Sequence, residues 1–171
     1  GQEFEMLNQG VKDLSTAFGT NLQSNINAAY QSISAGVPQE NLFTFLQTAT
    51  KAGIAGVTDT AVAVDGLTTV INAYGKDMSA AAEISDQMFT AVRLGKTTFE
   101  ELSGFMFQAV PIASSVGVQF DELMASVIGL TKQGVPTRVA MTQIRAAISN
   151  LQKPTKEMQT AFDRLNVKTA T

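Results

Sequence analysis

The sequence predicts an all-α protein, in which one long N-terminal helix is followed by an array of short antiparallel helices similar to a helical repeat. Apolar residues recur at every third or fourth position over most of the chain, which is the period of one face of an α-helix. Glycines interrupt this pattern roughly every twenty residues, a spacing that favours a tandem array over ordinary Gly-rich turns. These glycines are Gly36, Gly56, Gly75, Gly95, Gly117 and Gly134. A glycine can end a helix in the left-handed conformation, and Ser, Thr, Asp or Pro can then begin the next helix.

The first predicted unit, residues 1–35, is a single amphipathic helix from Glu3 to about Ser34. No proline or turn cluster interrupts its apolar stripe, although Gly10 and Gly19 each weaken a helix by about 1 kcal/mol relative to alanine. The stripe shifts like an eleven-residue repeat, which favours a straight or slightly right-handed supercoil. We therefore expect a surface at which copies of the chain associate, with packing of the stripe on its own domain as the alternative. The predicted partner-binding residues are Leu7, Val11, Leu14, Phe18, Leu22 and Ile26, and Tyr30 and Ile33 continue the same stripe.

The second predicted unit, residues 36–171, is a helical core domain. Its predicted helices are Asn41 to Lys51, Thr58 to Tyr74, Asp77 or Ser79 to Leu94, Thr97 or Thr98 to Gln108, Phe120 to Gln133, Thr137 to Leu151 and Thr155 to Leu165. Proline lacks a backbone N–H, so Pro111 is expected to end the fourth of these helices and to leave a short turn up to Ser115. The surrounding segment from Phe105 to Val118 is the most apolar in the chain. A membrane-perforating role is the alternative interpretation of that segment, but its short length and polar interruptions favour a buried core element.

Composition excludes several classes of function. Only 16% of the 171 residues are charged and the net charge is −3, with no sustained basic run, so no nucleic-acid contact is predicted. The chain contains neither histidine nor cysteine, which removes the commonest general base and the imidazole and thiolate ligands of transition metals. No apolar run approaches the roughly eighteen residues of a membrane span, and no signal-peptide layout is present. We expect a soluble segment without a targeting sequence.

Two adjacent carboxylate pairs, Glu100 with Glu101 and Asp121 with Glu122, follow predicted helix starts. Neighbouring residues in a helix point about 100° apart, so neither pair can converge as a general acid and base. Helix capping and interaction with the helix dipole explain both pairs better. We therefore predict no enzymatic activity, no catalytic or metal-binding residue and no cofactor.

Several ordered motifs in the second unit resemble a known family. They are Ala55 to Thr58, Leu67 to Gly75, Ala109 to Ala113 leading into Gly117 and Val118, Leu130 to Gly134, Thr142 to Ala146, and Leu151 to Pro154. In this order they resemble the core region of phage tail tape measure proteins, the minor tail proteins of long-tailed phages and prophages. The resemblance extends from near Val37 to Leu165, while residues 1–35 match only as a helical lead-in.

The resemblance implies a structural protein that lies in the tail tube or tip, sets tail length during assembly and leaves when DNA is ejected. It implies a location in the virion tail, and in the host cytoplasm during assembly. The implied partners are the tail tube, the tail tip or baseplate, assembly chaperones and further copies of the same chain, with membrane contact only in the full-length protein. A cellular helical-repeat adaptor that binds a protein partner is the alternative.

Overall fold

The computed structural model describes residues 2–165, apart from the side chains of residues 2–4. Within this part of the chain the fold is all-α, with nine α-helices, two short 3-10 turns and no strand, which confirms the predicted class. The helices are α1 (Gln2–Phe18), α2 (Leu22–Ser34), α3 (Leu42–Ala55), α4 (Thr60–Tyr74), α5 (Ala81–Leu94), α6 (Phe99–Ser115), α7 (Phe120–Lys132), α8 (Thr137–Gln152) and α9 (Lys156–Arg164). The 3-10 turns Gln39–Asn41 and Met78–Ala80 lead into α3 and α5.

The helix starts follow the polar residues that the sequence indicated. The Thr98 hydroxyl accepts a hydrogen bond from the Glu101 N–H (3.1 Å), and the Thr155 hydroxyl accepts one from the Met158 N–H (3.3 Å). Asp77 begins the turn before α5 by accepting from the Ser79 N–H at 2.8 Å. Each cap satisfies a donor in the first turn that has no partner inside its own helix.

The repeated glycines come just after the ends of most helices. Gly36, Gly75, Gly117 and Gly134 all adopt positive φ one or two residues after the end of a helix, as predicted. At Gly134 the Gly134 and Val135 N–H groups donate back to Thr131 and Leu130, so the last carbonyls of α7 are satisfied.

The expectation was wrong at Gly56 and Gly95, which have φ of −85° and −96°. Both positions instead need glycine because another helix comes close. A Cβ on Gly56 would lie 2.7 Å from the Phe99 Cβ, and one on Gly95 would lie 2.6 Å from the Thr131 hydroxyl. The same spacing in the sequence therefore has two physical causes.

The predicted break at Pro111 was also wrong, because α6 continues through it from Phe99 to Ser115. Pro111 cannot donate to the Phe107 carbonyl, which costs the helix one hydrogen bond. Pro111 and Phe107 both lie on the exposed side of α6, where water can replace that bond. The opposite side of α6 is fully buried and holds the helix in place through Met106, Ala109 and Val110.

The predicted single helix from Glu3 to Ser34 was wrong as well. It divides at Gly19, which adopts φ +63°, and Asn21 begins α2 by accepting a hydrogen bond from the Ser24 N–H at 3.0 Å. The chain turns back, so α1 and α2 pack against each other. A straight helix would have left its apolar stripe in water, whereas the turn buries part of it.

The core is built around α4 and α6, which pack directly on each other. Helices α2, α3 and α5 also pack on α4, and α5, α7 and α8 pack on α6. The packing order α2, α4, α6, α8 places the N-terminal helices at one side of the molecule and α8 at the other. No single helix among residues 2–165 has the length and hydropathy of a membrane span, and Gln39–Ala55 with Thr60–Tyr74 passes this test only as a pair bent by 117°.

Candidate partner-binding surface

The predicted partner-binding residues lie in two different environments. Val11 and Leu14 are buried in the core of their own chain, and Leu7 and Phe18 are partly buried against it. Leu22 and Ile26 point outward instead, with 41% and 40% of their surface exposed. Packing on its own domain therefore describes the α1 half of the stripe. Contact with a partner stays a prediction, which now concerns the α2 half.

The inner face of α2 is made of small and polar residues. Asn25, Ala28, Ala29 and Ser32 are buried, and their spacing of three, one and three residues places them on one helical face. The small side chains let α2 pack on α4. The Asn25 amide donates to the Ser15 hydroxyl (2.8 Å) and the Thr20 hydroxyl (2.7 Å), which ties α2 to α1 and to the turn between them.

Sequence reasoning missed this inner face because it followed the large apolar residues. The signal was present in the two adjacent alanines flanked by Asn25 and Ser32 at helical spacing. Such a face can be buried at low cost where its polar groups are hydrogen-bonded, as the Asn25 Nδ2 and the Ser32 hydroxyl are, whereas the buried Asn25 Oδ1 has no hydrogen-bond partner.

The outer face of α2 carries the large apolar side chains. Leu22, Ile26, Tyr30 and Ile33 are 40–73% exposed, and their spacing of four, four and three residues forms one continuous stripe, called here the α2 stripe. Scattered exposed apolar residues are normal on protein surfaces, whereas a contiguous patch marks an interaction site. The α2 stripe is therefore the candidate functional surface.

An apolar groove adjoins the α2 stripe at Ile33. Met6, Leu7, Ile33, Val37, Leu42 and Phe43 line it, together with Gln39 and Glu40, and its volume is about 740 Å³. Met6 contributes an exposed side chain, whereas Leu42 forms part of the buried core. No charged residue occurs between Asp13 and Glu40, so the stripe and most of the groove are electrically neutral.

One carboxylate of each adjacent pair has a structural role, Glu122 as a helix cap and Glu101 as an acceptor from another helix. Glu122 accepts the Gln119 N–H at 2.9 Å in a capping box at the start of α7, and Glu101 accepts the Thr137 hydroxyl at 3.0 Å. Desolvation raises the pKa of Tyr74 to about 12, and the charges of Asp121 and Glu122 add to this shift. The Tyr74 hydroxyl donates to the Val118 carbonyl at 2.9 Å. Among residues 2–165, no group of Asp and Glu side chains could hold a metal ion.

Comparison with known families decides the class of the protein. The family model described as phage-related minor tail protein matches residues 8–171. This chain belongs to that family. The match begins at residue 8, within α1, whereas the resemblance in the sequence motifs began near Val37.

Three curated relatives of this chain are named as tape measure proteins or probable tape measure proteins. The chain is 31% identical over 153 residues to a probable tape measure protein of Clostridium phage phiCD119, covering 87% of this chain and 16% of the relative. It is 26% identical over 109 residues to the tape measure protein of Pneumococcus phage Dp-1, covering 64% of this chain and 10% of the relative. A probable tape measure protein of Escherichia phage P2 is 32% identical over 89 residues, which cover 52% of this chain and 11% of the relative.

The chain thus spans 16% or less of the length of these three relatives. No solved structure matches it. The similarities confirm the resemblance to the tape measure family and give no support to a cellular adaptor. The division into residues 1–35 and 36–171 stays a prediction, and Val11, Leu14, Ala28 and Ala29 share one core cluster with the later helices.

Proposed function

We propose that this chain is a folded segment of a phage tape measure protein, a structural component that sets tail length during assembly and lies in the tail tube or tip until DNA ejection. The similarity of 87% of the chain to a probable tape measure protein is the observation that carries this proposal. In this role the segment works in the virion tail, after assembly in the host cytoplasm, and binds other tail proteins. It acts as a scaffold and not as an enzyme.

The α2 stripe is the proposed contact between copies of the chain. A surface that packs against its own copy meets its own charges, so a neutral surface avoids like-charge repulsion. The stripe meets this condition because the chain has no charged residue between Asp13 and Glu40. Its exposed leucine, isoleucine and tyrosine side chains supply apolar area whose burial favours association. The adjoining groove can receive side chains from the second copy.

The experiment that tests the function uses a phage that encodes the full-length protein. Removing residues 57–75 deletes α4, on which α2, α3, α5 and α6 all pack, so we expect neither folding of the segment nor normal tails. Gly104→Ala is the matched control, because a Cβ at this exposed position in α6 meets no atom within 4 Å. Tail length is measured by electron microscopy. Infectious tails of normal length after the deletion would contradict the proposal.

The location is tested separately in purified virions. Mass spectrometry should detect peptides of residues 2–165 in intact tails and much less of them after DNA ejection. Equal amounts before and after ejection would contradict release from the tail, and their absence from intact tails would contradict the tail location.

A further inference from the structure

A second groove lies between α5 and α7, away from the α2 stripe. Three carboxylates, Glu83, Asp86 and Asp121, line it together with Met124, Ala125 and Ile128, and its volume is about 560 Å³. Met124 is buried in the core, so the floor of the groove is apolar, while Glu83, Asp86 and Asp121 are exposed. The groove combines an apolar floor with an acidic margin.

Acidic and basic residues lie at opposite ends of the two helices that form this groove. The Lys96 N–H after α5 donates to the Thr131 hydroxyl at the end of α7 (3.2 Å), so the two helices end side by side. Glu83 and Asp121 belong to the first turns of α5 and α7, whereas Arg93 and Lys132 belong to the last turns. The acidic end therefore lies where both helices begin. A basic segment is attracted to that end and repelled from the other.

The chain itself contains a basic helix of matching character. The basic residues after Pro136 are Arg138, Arg145, Lys153, Lys156, Arg164 and Lys168, and the acidic residues there are Glu157 and Asp163. Helix α8 contains Arg138 and Arg145 and no acidic residue. These two arginines are seven residues apart, about two helical turns, so they lie on the same exposed side. Val139 and Ala146, also exposed, lie beside them.

Helix α8 cannot place this side in the groove of its own chain. Its buried side, with Thr137, Ala140 and Met141, packs against α6 and α7, and Arg138 and Arg145 are exposed beside that packed side. The arginine side therefore faces outward from the molecule. A second copy of the chain presents the same arginines and is free to approach the groove.

We propose that the groove between α5 and α7 binds the arginine side of α8 from a second copy. Arg138 and Arg145 pair with the carboxylates Glu83, Asp86 and Asp121, and Val139 and Ala146 lie over the apolar floor. The contact joins two different surfaces, so a growing assembly keeps one free groove at one end and one free α8 at the other unless a ring closes. It deepens the proposed self-association but uses other residues than the α2 stripe.

The test uses charge reversal in chains that also carry Ile26→Asp, which removes the proposed α2 contact. The groove variant carries Glu83→Lys and Asp86→Lys, and the helix variant carries Arg138→Glu and Arg145→Glu. Each variant alone should associate at least tenfold more weakly than the Ile26→Asp parent in sedimentation equilibrium. A mixture of the two should recover association, because the native α8 of the groove variant meets the native groove of the helix variant. Added salt should weaken association of the parent.

Matched controls are Asp65→Lys and Lys51→Glu, which reverse exposed charges on α4 and α3. They should leave association within twofold of the parent, and circular dichroism should show all variants folded. If a reversal variant does not fold, the neutral changes Glu83→Gln with Asp86→Asn replace it. A parent that stays monomeric at all concentrations would overturn this contact without touching the α2 stripe. The contact would also be overturned if the groove variants weakened association and the helix variants did not, because another basic segment would then occupy the groove.

Discussion

At the scale of one residue, Val57 occupies the left-handed position that a glycine occupies after other helices, one residue later than the repeated Gly56. It follows the end of α3 with φ +53°, the left-handed conformation that glycine occupies after several other helices. The Thr58 N–H donates to the Gly53 carbonyl at 2.9 Å and closes the same type of cap. The glycine stands at position 56 instead, because a Cβ there would lie 2.7 Å from the Phe99 Cβ. A β-branched residue in this conformation stores strain.

Replacing Val57 by glycine should therefore stabilise the protein. Val57 is 89% exposed, so little packing is lost, and relief of strain minus the added flexibility of the unfolded chain should give about 0.5–1 kcal/mol. Val139→Gly is the matched control, since Val139 is an exposed valine within α8 and should lose about 1 kcal/mol. Urea unfolding at neutral pH measures both. A loss of stability in both variants would show that Val57 is not strained.

The fold changes the pKa of the Tyr74 hydroxyl. Burial, aided by Asp121 and Glu122, raises its pKa from 10.0 to about 12. Its ring also meets Phe120 edge-on, with centroids 6.1 Å apart. The hydroxyl thus stays protonated in the folded protein at a pH where it ionises in the unfolded chain.

This difference predicts a loss of stability in alkali. Between about pH 10 and 12 the unfolded chain loses the Tyr74 proton while the folded protein keeps it, so the free energy of unfolding falls as pH rises. Tyr74→Phe should cost about 1 kcal/mol at pH 8 through the lost bond to Val118 and should show a smaller fall towards pH 12. Urea unfolding at pH 8 and pH 11 tests this, with Tyr30→Phe as the control. Equal falls in Tyr74→Phe and the native chain would contradict the assignment.

At the scale of helices, α4 and α6 cross in close contact. Gly66 on α4 faces Ser103 on α6, and a Cβ on Gly66 would lie 2.7 Å from the Ser103 Cβ and 2.9 Å from its Cα. Both residues are buried. Interiors packed this closely cannot accept another methyl group without moving the backbone of the neighbouring helix.

Gly66→Ala and Gly104→Ala should therefore have opposite effects. The clash at Gly66 costs about 1–3 kcal/mol and outweighs the better helix propensity of alanine, which leaves a net loss of about 1 kcal/mol. Gly104 lies on the exposed side of α6 with no atom within 4 Å of its added Cβ, so the change should gain about 1 kcal/mol. Thermal unfolding of the two variants decides, and a gain in both would mean that α4 and α6 are not in close contact.

On the scale of the whole molecule, substitutions in the α2 stripe should affect association of the chain without affecting its folding. Ile26→Asp places a charge on the exposed stripe, so it should weaken self-association at least tenfold while the chain stays folded. Asn27→Asp adds the same charge on the next, exposed residue and should have little effect. Leu14→Asp buries an unpaired charge and should unfold the N-terminal helices. Sedimentation together with circular dichroism distinguishes these outcomes, and identical association of the two α2 variants would rule out the stripe.

The composition of the whole chain also predicts that it lacks hydrolase activity. It contains no histidine, and Glu122 and Glu101 act in helix capping and in a hydrogen bond from Thr137. Purified protein should leave the turbidity of a cell-wall suspension unchanged, with lysozyme as the positive control. Clearing that disappears when a single Asp or Glu is replaced would contradict this prediction.

The sequence by itself predicted the helices of the second unit closely, because caps and glycine ends act within a few residues of the chain. Thr98 and Asp77 begin their turns as expected, and α7 and α8 start at the predicted Phe120 and Thr137. Errors arose at Gly19 and Pro111, where tertiary contacts decided whether the helix continued. Gly19 allowed a turn that tertiary contacts then stabilised, and the buried side of α6 outweighed the bond lost at Pro111.

The candidate surface was only half predictable for the same reason. Helical periodicity in the sequence predicted the all-α class and the apolar stripe of residues 7–33. The tail protein family followed from the resemblance of the ordered motifs, which the family match confirms. Only the tertiary structure decided which part of that stripe enters the core. Asn25, Ala28 and Ala29 are small enough for α2 to pack on α4, so the larger Leu22, Ile26 and Tyr30 are left outside. Periodicity locates a face on a helix, but the shape of the neighbouring helix determines which face it buries.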